Sequence, residues 1–153
     1  MGQDIFWNYT TEVDYVSVES KTFMFYHMFQ NAIPCSPYFE KITPLLVKIN
    51  PISIWRIKTN LLTRTPNIVE NEFHVDIHNL SEEKLKQWTT AIFYMNTNNG
   101  YTEFEDGTKV ESVANRMVSF PADMKHRGTS CTDEKTRVVI NFNYLIKNEI
   151  VSA

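Results

Sequence analysis

The feature of this chain that most constrains its fold is a series of short β-type segments that begins at Ile52. Aromatic and β-branched residues dominate these segments, and turn residues separate them. Asp106-Gly107 predicts a hairpin turn, and Asn98-Asn99-Gly100 is a second turn signal. We predict strands over Ile52–Leu62, Phe73–His78, Thr89–Asn96, Tyr101–Glu105, Thr108–Val113, Arg116–Phe120 and Thr136–Leu145.

The residues before Ile52 have a helical pattern instead. Ser20–Ala32 carries apolar residues at the spacing of an amphipathic helix. Ser36-Pro37 predicts the N-cap and first residue of a second helix, which Pro44 limits or kinks. Ser81 predicts the cap of a short helical turn that reaches Lys86. Helices followed by many short strands predict a mainly β protein, either a two-sheet antiparallel sandwich or a jelly roll, with helices packed on one side.

Size and charge narrow the functional classes. The 153 residues fit a single domain spanning 1–153, with residues 1–50 as helical support and 52–145 as the β core. A net charge of -3 gives no general attraction to nucleic acid, so we expect no nucleic-acid partner. No apolar run reaches the length of a membrane span, and no secretion signal is apparent. Cys35 and Cys131 are isolated, which indicates a reducing compartment, and we expect a cytoplasmic protein.

His74-Val75-Asp76 and His126 are candidate metal ligands. Side chains alternate along a strand, so His74 and Asp76 point to the same face and can reach one ion. Two imidazoles and one carboxylate form the facial ligand set of non-haem Fe(II) oxygenases. His78 shares that face, but three ligands along one strand span about 13 Å, which one ion cannot accept without a bend. We therefore prefer His126 as third ligand and interpret His78 as a residue at the surface or the site mouth.

Arg137 opens a strand whose two faces differ in polarity. One face carries Arg137, Val139, Asn141 and Asn143, which is an unusual set for a core strand unless it lines a polar site. An arginine binds a carboxylate through two parallel hydrogen bonds and stays charged at any working pH. Tyr94 is a candidate second donor to that carboxylate. His27 lies in the predicted helix, and we interpret it as a helix-face residue.

Taken together, these residues resemble the Fe(II)/2-oxoglutarate-dependent oxygenases, and above all their prolyl-hydroxylase-like branch. The resemblance covers about residues 52–145 and is carried by four segments in order, Phe73–Asp76, Ala91–Asn96, Asn99–Phe104 and Arg116–Phe120 leading to His126 and Arg137. The compact length and the run from Asn98 to Thr108 are similar to small members encoded by marine bacteriophages.

The resemblance implies the family's double-stranded β-helix, a jelly roll of two antiparallel sheets, and a set of residue roles. His74, Asp76 and His126 would bind Fe(II), and Arg137 with Tyr94 would bind the far carboxylate of the co-substrate 2-oxoglutarate. Asn141, Ile92 and, more weakly, Asn60 are further co-substrate contacts. The activity implied is hydroxylation of a C–H bond by O2 with release of succinate and CO2. The substrate would be an unidentified peptide, protein or small molecule.

Two other functions share this fold, and one departure from the family matters. A non-catalytic jelly-roll module could keep the metal and 2-oxoglutarate pocket without turnover. A cupin-type enzyme without 2-oxoglutarate would need a His-x-His pair with a following Glu, which is absent. Where the branch often has an aromatic co-substrate contact, this chain has Lys58-Thr59-Asn60, which weakens the case for proline as substrate. The Thr63–Glu72 and Asn79–Lys86 segments are candidate lids.

Overall fold

A computed structural model of the protein describes residues 5–11 and 23–147. Within these ranges the chain forms two antiparallel sheets, one 3-10 helix over Phe39–Ile42 and two short α-helices. The α-helices are α1, Thr43–Ile49, and α2, Glu82–Leu85. The strands are β1 Asn8–Thr10, β2 Met24–Asn31, β3 Ile33–Pro34, β4 Ser53–Thr63, β5 Thr89–Tyr94, β6 Tyr101–Phe104, β7 Lys109–Glu111, β8 Met117–Pro121, β9 His126–Gly128 and β10 Thr136–Leu145.

The larger sheet is built around β10, the longest apolar strand of the chain's second half. Its order is β1-β2-β4-β10-β5-β8, with β3 paired to β2. β10 pairs with β4 from Thr136 opposite Thr63 to Leu145 opposite Ser53, and on its other side with β5. This register places the polar face of β10 beside the even-numbered residues of β4.

The smaller sheet has the order β7-β6-β9 and is extended by the segment before residue 75. Glu70 bridges Thr129, and His74 bridges His126, both antiparallel. In the second bridge each amide N–H donates to the other residue's carbonyl at 3.0 Å. Residues directly opposite each other in an antiparallel pair direct their side chains to the same face, so this backbone pairing brings the two imidazoles together.

Apolar cores lie on both faces of the larger sheet. Between the sheets, residues of β5, β6, β8 and β10 pack together, namely Ile92, Tyr94, Phe104, Phe120 and Val139. The other face of β10 packs against the helical region through residues such as Phe142, Ile140 and Ile42. The predicted mainly β jelly roll of two antiparallel sheets is therefore confirmed, with helical structure limited to residues 39–49 before β4 and to the four-residue helix α2 after it.

The predicted helix over Ser20–Ala32 is wrong. Residues 24–31 form strand β2, while Ser20 and its two successors lie outside the described residues. Both faces of β2 are covered, with Met24 in the pocket between the sheets and Phe29 in the outer core. A β-bulge between Met28 and Gln30 also shifts the register. Burial on both faces and a bulge remove the period of two that identifies a strand.

The second predicted helix is displaced and its proline has a different role. Ser36 begins a turn, where its Oγ accepts the Tyr38 amide at 3.0 Å, and the α-helix starts only at Thr43. Pro44 lies in the first turn of α1, where its missing N–H costs nothing, so it starts the helix and does not limit it. Helical structure was predicted as the support formed by residues 1–50. Among the described residues of that range, only residues 39–49 are helical.

The predicted β segments after residue 52 hold with one exception. β10 has the predicted bounds, and the other strand bounds differ by up to two residues. Asp106-Gly107 makes the predicted hairpin turn, with Gly107 at φ 84 and the Asp106 carboxylate accepting the Thr108 amide at 2.8 Å. The exception is Phe73–His78, which is not a strand beyond the single bridge at His74, because the chain bends at Asp76.

Three further expectations can be compared with the structure. Ser81 stands at the N-cap of α2 as predicted, without a side-chain capping hydrogen bond. Cys35 and Cys131 are both free thiols. The Thr63–Glu72 segment, predicted as a lid, is attached to residues 128–131 by backbone and side-chain hydrogen bonds at Thr65, Val69 and Asn71. No helix in the described ranges has the length and apolarity of a membrane-crossing helix.

Candidate metal centre

His74, Asp76 and His126 converge at one point between the sheets. Their ligand atoms all lie within 4.8 Å of one another. The Nε2 atoms of His74 and His126 are 3.7 and 3.9 Å from the Asp76 Oδ1. The ring centroids of the two histidines are 4.9 Å apart. This brings together the three residues predicted from the sequence, while His78 is exposed and lies outside the cluster.

Both imidazoles are oriented by main-chain carbonyls. His74 Nδ1 lies 3.0 Å from the Glu72 carbonyl, and His126 Nδ1 lies 3.4 Å from the Met124 carbonyl. A carbonyl can only accept, so each Nδ1 carries the proton and each Nε2 presents its lone pair toward Asp76. Burial lowers the pKa of His126, and the nearby His74 lowers it further against the attraction of Asp76, so His126 is neutral at pH 7.

Asp76 is held by the larger sheet. Its Oδ2 accepts a hydrogen bond of 2.9 Å from the Asn143 amide, and Arg56 donates to its backbone carbonyl at 3.3 Å. Burial alone would raise the pKa of this carboxyl, but His126, Arg56, His74 and the Asn143 hydrogen bond together hold it well below its ordinary value. Asp76 is therefore ionised at neutral pH. Asn143 lies on the strand face that the sequence associated with a polar site, but neither its contact with Asp76 nor that of Arg56 was predicted.

The donor set fits a divalent transition-metal ion. Two neutral imidazoles and one carboxylate are the ligands of non-haem Fe(II) sites, in which further coordination positions stay open. The three ligand atoms already lie within 4.8 Å of one another.

Arg137 lies at the other end of the same pocket and is 2% exposed. Its Nε donates to Ser112 Oγ at 2.9 Å and its Nη2 to Thr102 Oγ1 at 3.3 Å. Among the described residues no carboxylate pairs with it. Burial lowers its pKa to about 10, so the guanidinium is charged at neutral pH. A buried, charged guanidinium bonded only to hydroxyls is a site for an anionic ligand.

Two glycines make room for Arg137. A Cβ on Gly100 would lie 2.7 Å from the Arg137 Cδ and 2.6 Å from the Ser130 carbonyl. A Cβ on Gly128 would lie 3.3 Å from the Arg137 Nη1. The chain has only four glycines, so their scarcity was a signal that the sequence interpretation did not use.

The pocket joins the two ends of the site. It holds about 430 Å³ of empty space, part of which is its open mouth. The lining includes six residues predicted from the sequence, namely His74, His126, Arg137, Asn141, Ile92 and Asn60. It also includes Val139, which lies on the strand face associated with a polar site, and five residues that were not predicted, namely Met24, Leu62, Asn71, Thr102 and Gly128.

Two of the residues that line the pocket carry a buried oxygen without a hydrogen-bond partner in the described part of the chain, namely the Oδ1 atoms of Asn60 and Asn141. The Oδ1 of Asn143 and the Nε of Arg56, whose side chains contact Asp76, also have none there. A buried polar group without a partner costs about 1–3 kcal/mol, so such groups concentrate where a ligand completes them. The two amide oxygens in the pocket lining support a polar ligand beside the metal centre.

Tyr94 does not line the pocket. It is fully buried, and its hydroxyl donates to Thr102 Oγ1 at 2.8 Å. The Arg137 guanidinium carbon lies 5.7 Å from the centre of the Tyr94 ring. Tyr94 therefore lies beside Arg137 and contacts Thr102, and the Tyr94 hydroxyl already donates a hydrogen bond to Thr102.

His27 is on strand β2 and has no part in this site, which corrects the expected helix-face position. Its Nδ1 is 2.8 Å from the Phe6 carbonyl and its Nε2 is 2.7 Å from Ser36 Oγ. It is a buried residue that links β2 to the chain before β1 and to the turn before the helices.

Comparisons with known proteins bear on the fold. No family model matches the chain, and no curated sequence matches it. An oxidoreductase of the 2OG-Fe(II) oxygenase family from Burkholderia pseudomallei is 9% identical, with 95% of this chain and 75% of that chain covered at a TM-score of 0.61. The viral collagen prolyl hydroxylase of Paramecium bursaria Chlorella virus-1, solved with 2OG, is 13% identical, with 81% and 80% covered at a TM-score of 0.55. At these identities the likeness shows a shared fold.

Proposed function

We propose that this protein is an Fe(II)- and 2-oxoglutarate-dependent dioxygenase that hydroxylates a C–H bond of a peptide, protein or small molecule. One observation carries the proposal. The two histidines of a His74, Asp76 and His126 ligand set line the same pocket as the buried Arg137, which has no carboxylate partner among the described residues. The likeness to the two solved structures supports it at the level of the fold.

His74, Asp76 and His126 would hold the Fe(II). Asn143 and Arg56 keep the Asp76 carboxylate in place from the larger sheet, and the main-chain pairing of His74 with His126 fixes the imidazoles from the smaller one. When bound, Fe(II) together with 2-oxoglutarate and O2 supplies the oxidising chemistry, with release of succinate and CO2.

Arg137 would bind the far carboxylate of 2-oxoglutarate, and Thr102 adds a hydroxyl beside it. Ile92 and Val139 would pack against the methylene groups, while the unpartnered amide oxygens of Asn141 and Asn60 mark the polar part of the pocket. Tyr94 would act through Thr102 and not as a direct ligand, because its hydroxyl already donates there.

The substrate is the open part of this proposal. Lys58-Thr59-Asn60 in place of an aromatic co-substrate contact argues against assigning proline. A bacteriophage origin and a cytoplasmic location stay predictions from the sequence.

The test is anaerobic titration of the protein with Fe(II) and then 2-oxoglutarate, followed by visible absorption, and then succinate release on admission of air. We expect a charge-transfer band that needs both additions and that His126→Ala abolishes. His78→Ala is the matched control, because it removes an exposed imidazole outside the cluster. Binding that is indifferent to His126→Ala would refute the proposal, and binding without any decay of 2-oxoglutarate would favour a non-catalytic module.

A further inference from the structure

Arg127 lies directly behind the two histidines of the metal centre. Side chains alternate along a strand, and His126 and Gly128 line the pocket, so Arg127 between them faces the outer side of the smaller sheet. One step along the antiparallel bridge of His74 with His126, Phe73 stands opposite Arg127. The Arg127 guanidinium carbon lies 4.5 Å from the centre of the Phe73 ring. The ligand pair on the pocket face is therefore backed by a second cross-strand pair on the outer face.

The segment that carries His74 is paired to the smaller sheet irregularly. Two isolated bridges attach it, Glu70 with Thr129 and His74 with His126, and Asn71 adds hydrogen bonds to β9. Four steps separate Glu70 from His74, whereas three separate His126 from Thr129, so one residue between the bridges has no counterpart on β9. An interrupted ladder of this kind holds a strand less firmly than a regular one. Side-chain contacts must therefore contribute to the position of His74.

Arg127 supplies such contacts from β9. Its Nη2 lies 2.6 Å from the Glu70 Oε2 on the irregular segment and 2.6 Å from the Glu103 Oε2 on β6. Its Nε donates to the same Glu103 oxygen at 2.8 Å. Hydrogen bonds between a guanidinium and a carboxylate are among the strongest in proteins, and their geometry is specific. One guanidinium thus connects the regular part of the smaller sheet to two side chains, Glu70 and Phe73, of the segment that carries His74.

The carboxylates that hold Arg127 are themselves held in place. Glu103 stands between Arg127 and Lys109 in the strand register, and the Lys109 Nζ lies 3.6 Å from the Glu103 Oε1. The Tyr101 hydroxyl donates to the Glu70 Oε1 at 2.6 Å. This hydrogen bond, together with the charges of Arg127 and Lys109, holds the pKa of Glu70 below its ordinary value, so Glu70 is ionised at neutral pH. The Glu103 side chain is only 10% exposed, so water competes less for it than at an open surface.

We propose that Arg127 is a positioning residue of the metal centre, which sets the place of His74 relative to His126 by holding Glu70 and Phe73 against β9. Arg127 borders a groove on the outer face of the sheet, so it acts through the segment that carries His74 and not by contact with a ligand in the pocket. This inference rests on the metal centre of the function proposed above. Neighbours that orient metal ligands typically change metal affinity tenfold to a hundredfold, on the order expected here.

The experiment follows the binding of Co(II) through its visible absorption, which reports the number and geometry of the ligands. We expect Arg127→Met to bind Co(II) about tenfold more weakly than the wild type and with a changed absorption band, and Arg127→Lys to recover part of both. A residue that only stabilises the fold would lower the free energy of unfolding in urea and leave the band of the bound Co(II) unchanged. If Arg127→Met does not fold, Phe73→Leu removes the same contact from the other side, and the same loss of affinity is expected.

Lys125→Met is the matched control, because Lys125 precedes His126 as Arg127 follows it, but it pairs at 3.4 Å with the exposed Glu105. This variant should bind Co(II) like the wild type. Unchanged Co(II) affinity and absorption in Arg127→Met would overturn the inference, and so would an equal loss in Lys125→Met, since any lost charge would then have the same effect. Absence of Co(II) binding in the wild type would instead refute the proposed metal centre, and with it the function proposed above.

Discussion

The substitution Arg137→Met distinguishes between two roles of Arg137, binding of a ligand and support of the fold. Met fills a similar volume without the charge, so the substitution removes the guanidinium while it keeps much of the packing around β10. If the guanidinium is there for a carboxylate ligand, the ligand-free protein should tolerate the change, and the protein's response to 2-oxoglutarate should disappear.

The structure gives the size of both effects. Burial lowers the Arg137 pKa to about 10, which corresponds to a cost of about 3 kcal/mol for keeping the charge in the folded state. Because the folded pKa is lower than that of the unfolded chain, this cost is fully present below about pH 10 and fades as the pH rises above that value. The hydrogen bonds to Ser112 and Thr102 return about 2 kcal/mol, so Arg137→Met should change the free energy of unfolding by no more than about 1 kcal/mol.

The assay is urea denaturation at pH 7.5 with Zn(II), without and with 2-oxoglutarate. At a ligand concentration about one hundred times the dissociation constant, the wild type should gain about 2.7 kcal/mol and Arg137→Met should gain nothing. Arg116→Met is the control, because Arg116 is exposed and outside the pocket. A loss of 3 kcal/mol or more in the ligand-free Arg137→Met protein would refute the reasoning, since a structural arginine behaves in that way.

Three further substitutions test residues that position the site or pack in the core. Gly100→Ala should weaken 2-oxoglutarate binding at least tenfold in calorimetry, because its Cβ would lie 2.7 Å from the Arg137 Cδ; unchanged affinity would show that the arginine can move freely. Asn143→Ala should raise the pKa of Asp76 and weaken metal binding about tenfold in a metal-ion titration; an unaltered metal affinity would contradict this. Phe142→Ala should lower the free energy of unfolding by about 3–5 kcal/mol in urea, and a loss under 1 kcal/mol would contradict its place in the core.

The sequence was most informative where residue types carry specific chemistry or a clear period. β10 was predicted with its bounds, because a polar face alternates there with an apolar one from Arg137 to Tyr144. The grouping of His74, Asp76 and His126 was predicted from the ligand types and from the resemblance to a known family, and in the structure it depends on the bridge between His74 and His126.

The remaining parts depend on pairings that the sequence does not display. β2 was taken for a helix because both of its faces are covered and a bulge interrupts its alternation. Asn143 and Arg56 support Asp76 only because the register of β10 on β4 places them opposite each other. The requirement for glycine at position 100 follows from the path of the Arg137 side chain, which passes next to it.

The two ends of the pocket are also where polar contacts join the sheets. At one end the paired histidines of the smaller sheet meet Asp76, which Asn143 holds from the larger sheet. At the other end Arg137 reaches from β10 to Thr102 on β6. Between them Ile92 and Val139 belong to the apolar core that binds the sheets together. A ligand spanning the pocket would therefore contact the same groups that align the two sheets, which ties the geometry of the site to the packing of the fold.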